Sequence, residues 1–155
     1  MAEALDGVRV LELASVLAGP LAGTALAVRG ATVTKVERPP HGDVTRSWRS
    51  SSESDEHPVS AYYASANAGK AVVWQDLGTP EGRAWLESAL KEHDVVLQNF
   101  KAADSDKFGL QPAALAARHP HLILVRLVGF PKAPERLAFK LIPQPRINLV
   151  LKFLA

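Results

Sequence analysis

Gly7-Val8-Arg9-Val10-Leu11-Glu12-Leu13 runs into Ala14-Ser15-Val16-Leu17-Ala18-Gly19-Pro20, then through residues 21–29 and Gly30 to Ala31-Thr32-Val33-Thr34-Lys35-Val36-Glu37-Arg38. Val8, Val10 and Leu11 form a short β-branched and apolar run suited to a buried strand. Gly19-Pro20 punctuates the chain, with proline near a first helical turn, where its missing N–H costs nothing. Leu21, Ala22, Ala25 and Leu26 follow at helical spacing, and Gly30 stands where a left-handed cap ends a helix. Ala31 to Val36 predicts a second strand. Strand, loop, helix and strand in this span make a parallel crossover unit. The loop between the first strand and the helix is where open α/β sheets bind ligands.

The same alternation continues outward. Pro39 to Pro58 reads as a long surface loop, with Ser50 to Glu56 solvated. A helical turn is expected over Ser60–Ser65, and a strand at Ala71-Val72-Val73-Trp74. Thr79-Pro80-Glu81-Gly82 is a helix start, with a hydroxyl cap, proline first and an acid in the first turn. Trp85, Leu86, Ala89 and Leu90 face the core, and His93-Asp94 ends that helix. Val95-Val96-Leu97 predicts a strand with Asn99-Phe100 just past its end; Pro112–Arg118 predicts a helix and Leu122–Leu127 a strand. The fold class is therefore α/β, a mostly parallel sheet with flanking helices. Residues 1–130 carry this pattern. Residues 131–155 read as an irregular tail, broken by Pro131, Pro134, Pro143 and Pro145 and apolar from Ile147 onward. Such an apolar end packs on the sheet, packs on another chain, or aggregates.

With 155 residues, 47% hydrophobic and 22% charged, the composition is that of one ordinary globular domain. A formal net charge of +2 does not argue for nucleic acid. The absence of cysteine excludes disulfides, thiolate metal sites and thiol nucleophiles. The first residues carry no signal-peptide pattern and no apolar run reaches membrane-spanning length, so a cytoplasmic chain is expected. Ser15 lacks a Gly-x-Ser-x-Gly elbow and is better taken as a capping or ligand-lining serine than as a nucleophile. Gly19 and Gly23 lack the Gly-x-Gly-x-x-Gly of a dinucleotide loop, and close helix–strand packing accounts for them. His119 and His121 have the spacing of two metal ligands but no identifiable third, so they read as surface residues and no metal is expected. Trp48 and Trp74 are most simply packing residues.

Seven short motifs occur in a particular order: Gly7–Leu13, Val16–Pro20, Lys35–Arg38, Gly42–Trp48, Asn67–Lys70, Asp76–Gly82 and Val95–Phe100. In that order they resemble the N-terminal part of the family III CoA-transferases, the group of formyl-CoA transferase, carnitine CoA-transferase and α-methylacyl-CoA racemase. The resemblance covers roughly residues 5 to 130 and continues more weakly to Gln144. It implies a Rossmann-like large domain, a dimer of interlaced chains, and coenzyme A held as a non-covalent ligand near the strand ends. By motif position, Ser15, Val16, Leu17 and Ala18 lie beside the CoA thiol end and Arg38 meets the adenosine phosphates. Lys70, Asn99 and Phe100 line the same groove, with Lys107 further out. Arg and Lys suit a ligand that carries several phosphate charges.

The resemblance also implies a catalytic aspartate whose carboxylate attacks an acyl-CoA thioester. The matching segment here is Phe139-Lys140-Leu141-Ile142-Pro143-Gln144, with Lys140 in place of the aspartate. No catalytic residue is therefore assigned, and the expected chain is a CoA-binding fragment without transferase activity. The change after Gln144 reads as a truncated or frame-altered end. Two other expectations stay open: a non-catalytic assembly partner, as a homodimer or joined to a full-length homologue, and a racemase-like isomerase.

Overall fold

A computed structural model describes residues 3–54 and 56–128, together with the backbone of 149–152. Lys140 and the proline-rich residues 131–145 lie outside the described residues. The elements run β1 (Arg9–Leu13), α1 (Ala18–Ala27), β2 (Thr32–Glu37), a 3-10 turn (Val44–Ser47), α2 (Ala61–Asn67), β3 (Ala71–Trp74), α3 (Pro80–Glu92), β4 (Val95–Gln98), α4 (Ala102–Lys107), α5 (Pro112–Arg118), β5 (Ile123–Val128) and β6 (Leu149–Lys152).

The sheet has the order β3-β2-β1-β4-β5-β6, and every neighbouring pair is parallel. Parallel neighbours need crossovers, and from β1 to β5 helical segments supply them, covering both faces. The chain reverses its direction of strand addition between β1 and β4, the topological switch point of such sheets. Leu149–Lys152, in the stretch read as an irregular tail, forms a strand beside β5.

The two faces are filled differently. Leu11, Leu13, Val96 and Leu124 pack against Leu86 and Leu90 of α3, with Leu110 and Leu115 beneath. Val10, Val33, Leu97 and Leu127 meet Ala22 and Leu26 of α1. Thr79 caps α3 through a hydrogen bond from the Gly82 N–H, with proline in the first turn as the sequence predicts. The 3-10 turn is the larger departure. The loop expected to be a simple surface excursion is folded back, so that Asp43, Thr45 and Ser60 are buried. Asp43 accepts from the Thr45 N–H at 3.1 Å, and Ser60 donates to the Thr45 carbonyl at 2.6 Å.

Leu90 is fully buried against β1 and β4 on the α3 face. Leu90→Ala is expected to cost about 2–5 kcal/mol of stability by loss of transfer energy and creation of a cavity, measured as a lower urea midpoint with an unchanged slope.

Candidate functional site

A cavity of about 300 Å³ lies at the carboxyl ends of β1, β2, β3 and β4. Leu13, Ala14 and Ser15 enter it from the end of β1, and Lys35 to Arg38 from β2. Gln75 to Gly78 follow β3, while Phe100, Lys107 and Phe108 close the side beyond β4. Parallel strands bring these otherwise distant residues together because all their carboxyl ends face the same way. Phe100 and Phe108 meet edge to face with centroids 5.2 Å apart, a rigid apolar wall. The rim is mixed in charge, with Arg38 and Lys107 against Asp76 and Asp104. Arg38 is 77% exposed in its side chain and donates from Nε to Asp76 Oδ2 at 3.1 Å. Its terminal nitrogens add further donors in a fixed fork.

A buried ion cluster runs inward from the cavity lining, where Lys35 and Asp43 stand, to Glu12 and Lys70. Glu12 and Lys35 face each other in the β1–β2 register, on the face that also carries Val10 and Val33. Lys35 Nζ lies 3.1 Å from Glu12 Oε1 and 3.1 Å from Asp43 Oδ2, and donates to the Ala14 carbonyl at 2.7 Å. Lys70 Nζ lies 2.8 Å from Glu12 Oε2 and donates to the carbonyls of Pro20 and Ala66 and to Asn67 Oδ1. The side chains of Glu12, Lys35 and Lys70 are inaccessible to solvent. Burial pushes Glu12 above the ordinary glutamate range against the pull of both lysines, and pushes Lys70 below the ordinary lysine range.

A second set surrounds Glu37. Arg46 grips its carboxylate through Nε at 2.6 Å and a terminal nitrogen at 3.0 Å, and Tyr63 Oη donates to it at 2.5 Å. The Asp43 N–H adds a further bond at 2.9 Å. Arg46 also lies over the Tyr63 ring at 4.1 Å and near Trp74 at 5.2 Å. Burial raises Glu37, but the donors from Arg46, Tyr63 and Asp43 outweigh it and hold the carboxyl below its ordinary range. Asp43 is likewise held low, against its burial, by bonds from Thr45 and by the Lys35 ammonium. Burial, then the Glu37 carboxylate, pushes the Tyr63 hydroxyl well up.

Of the residues expected in the groove, Ser15, Arg38, Phe100 and Lys107 line the cavity. Val16 carries the loop onward, and Leu17 and Ala18 start α1. Asn99 turns to the backbone of Ser15, accepting from its N–H at 3.1 Å and donating to its carbonyl at 2.8 Å. Lys70 does not line the cavity: its ammonium is held inside by Glu12 and three oxygen acceptors. Reading the sequence missed Glu12, Lys35, Glu37, Asp43 and Asp76. A signal for three of them was present, because Val33, Lys35 and Glu37 share one face of a buried strand and Glu12 lies among apolar neighbours. Gly19 and Gly23 serve close packing. A Cβ on Gly23 would fall on Glu12 Oε2, and one on Gly19 on the Ala14 methyl. His119 pairs with Glu87 at 3.0 Å and His121 contacts the Leu90 carbonyl at 3.2 Å. Among the described residues no cluster of histidine and carboxylate ligands forms a metal site, and no helix is long and apolar enough to cross a membrane.

Parallel strands in this order, with a groove at their carboxyl ends edged by cations and walled by phenylalanines, define a Rossmann-like α/β fold. The chain belongs to CoA-transferase family III, whose profile matches residues 5–146. The succinate–glutarate CoA-transferase of Agrobacterium fabrum is 45% identical over 129 residues, 81% of this chain and 32% of that protein. The succinyl-CoA:mesaconate CoA-transferase of Haloarcula hispanica is 44% identical over 128 residues, 82% of this chain and 32% of its own length. The crystal structure of Rv3272 from Mycobacterium tuberculosis matches with a TM-score of 0.74 at 38% identity, covering 83% of this chain and 35% of that one. The chain spans about a third of the length of these relatives.

A carboxyl held below its unfolded value stabilises the fold above the ordinary carboxylate range, and this contribution is lost as pH falls through the folded value. Glu12, pushed up, works in the opposite sense, so substitution is needed to isolate Glu37. Glu37→Gln is expected to cost about 2–3 kcal/mol at neutral pH. The gap between variant and parent should close as pH falls below about 4, followed by urea denaturation at a series of pH values.

Proposed function

We propose that this chain forms the coenzyme A-binding part of a family III CoA-transferase, and that CoA or an acyl-CoA lies in the groove at the ends of β1 to β4. The observation that carries this is the convergence, around one cavity, of Arg38 and Lys107 on the rim with Phe100 and Phe108 behind and Ser15 at the edge. A phosphate entering beside Arg38 also meets Asp76. Arginine tolerates that neighbour because Nε can stay on Asp76 while the terminal N–H groups take phosphate oxygens. The phenylalanine wall offers an apolar surface to the adenine ring or the pantetheine arm. Ser15 and the turn after it stand at the thiol end.

The chain's own residues bind and orient; they do not carry the acyl group. Lys140 stands where the family resemblance places the nucleophilic aspartate. An aspartate carboxylate attacking a thioester expels the CoA thiolate and gives a mixed anhydride. The thiolate then attacks the aspartyl carbonyl, releasing the donor acid and leaving an aspartyl-CoA thioester that passes CoA to an acceptor acid. A lysine amine gives an amide, which does not return the acyl group. Turnover then needs a partner that supplies the carboxylate, such as a full-length homologue.

Calorimetric titration with CoA tests the binding half of this proposal. The parent is expected to bind in the micromolar range, and Arg38→Ala to weaken binding by about tenfold through loss of a charge-assisted phosphate contact. No heat of binding with the parent would overturn it. For the catalytic half, a coupled CoA-transfer assay on the purified chain is expected to show no turnover above buffer, and measurable turnover would sink the assignment at Lys140.

A further inference from the structure

Between β1 and α1, the backbone polar groups of three successive residues are held by side chains from elsewhere in the chain. The Ala14 carbonyl accepts from Lys35 at 2.7 Å. Asn99 takes both polar groups of Ser15, accepting from the N–H at 3.1 Å and donating to the carbonyl at 2.8 Å. The Val16 N–H is shared by the two carboxylate oxygens of Asp43, at 3.1 and 3.3 Å. Val16 has φ = 72°, a left-handed conformation that β-branched residues rarely adopt. Glycine takes that conformation freely, yet the position holds valine, so neighbouring contacts must hold the turn.

The two clamps come from opposite sides of β1. Asp43 follows β2, and Asn99 follows β4. Asp43 is itself fixed by the Thr45 N–H at 3.1 Å, the Thr45 hydroxyl at 2.8 Å and the Lys35 ammonium at 3.1 Å. Asn99 engages Ser15 as an adjacent strand would, with one donor and one acceptor matched to one residue. The clamped turn leads straight into α1, whose first residues have no side-chain cap to fix them.

We propose that Asp43 and Asn99 are positioning residues: by clamping Ser15 and Val16 they hold the left-handed turn that sets the cavity edge against the pantetheine and thiol end of CoA. The choice of ligand rests on the CoA reading above, whereas the clamp itself is a matter of backbone geometry and is measured separately.

The variants are Asp43→Ala, Asn99→Ala, Val16→Gly and the double variant Val16→Gly with Asp43→Ala. Each is titrated with CoA by calorimetry, and exchange of the Ser15 and Val16 amide protons is followed by NMR. Both alanine variants are expected to speed amide exchange in the turn and weaken CoA binding by about tenfold. Val16→Gly should restore the affinity of Asp43→Ala to within about threefold, because glycine holds this φ without help. A role for Asp43 limited to pairing with Lys35 predicts no such rescue. Unchanged exchange in Asp43→Ala, or a loss of affinity that Val16→Gly leaves in place, overturns the proposal. Should Asp43→Ala fail to fold, Asn99→Ala, which removes no buried charge, decides by the same two readouts. If the parent does not bind CoA, it is the CoA reading that fails, and amide exchange alone decides the clamp.

Discussion

The ammonium of Lys35, inaccessible to solvent in the middle of a parallel sheet, touches Glu12, Asp43 and the Ala14 carbonyl. An isolated charge in that position would be untenable. It is tolerated because β1 places Glu12 opposite it in register and the loop after β2 returns Asp43 to it. One side chain thereby ties together the end of β1, the strand beside it and the folded-back loop. Buried ion pairs add little net stability compared with apolar packing, but breaking one is costly. A contact of this kind specifies one arrangement of the elements around it.

Four of the basic residues around the strand ends, Lys35, Lys70, Arg38 and Lys107, divide into two populations. Lys35 and Lys70 are inaccessible to solvent and face carboxylates, Lys35 at the cavity lining and Lys70 behind it. Arg38 and Lys107 stand on the rim. The division follows from strand geometry. Val33, Lys35 and Glu37 point to the α1 face, and Arg38 comes just as the strand ends and alternation lapses. Cations that look equivalent along the chain thus have different roles. The buried ones shape the backbone, and those on the rim meet whatever enters the groove.

Much of the fold was legible in the residues. Strand β3 and helix α5 match their expected bounds, and Thr79-Pro80 marks the start of α3 as its chemistry requires. Those features are local, set by caps, prolines and short apolar runs. Helix α4 was not legible, because Ala102–Lys107 is short, polar and without a side-chain cap. The folded-back loop was missed for a different reason. Asp43 and Thr45 are buried by contacts with Val16, Lys35 and Ser60, and no local pattern announces a tertiary partner. At the candidate site, Ser15, Arg38, Phe100 and Lys107 line the cavity, whereas Val16, Leu17 and Ala18 do not, and Lys70 and Asn99 turn to neighbours within the protein.

The strand order also sets a timetable for the nascent chain. All four charges of the buried cluster, Glu12, Lys35, Asp43 and Lys70, precede every residue of β4 in the order of synthesis. Strands β1, β2 and β3 can therefore pair and neutralise their interior charges as a three-stranded half-sheet. The other flank of β1 stays open until β4 arrives more than eighty residues after β1 began. Only then does Asn99 reach Ser15 and Phe100 enter the groove. Chain order thus allows ion pairing in the core before the cavity is assembled, and leaves the unfinished edge of β1 as the surface a stalled chain exposes to wrong partners.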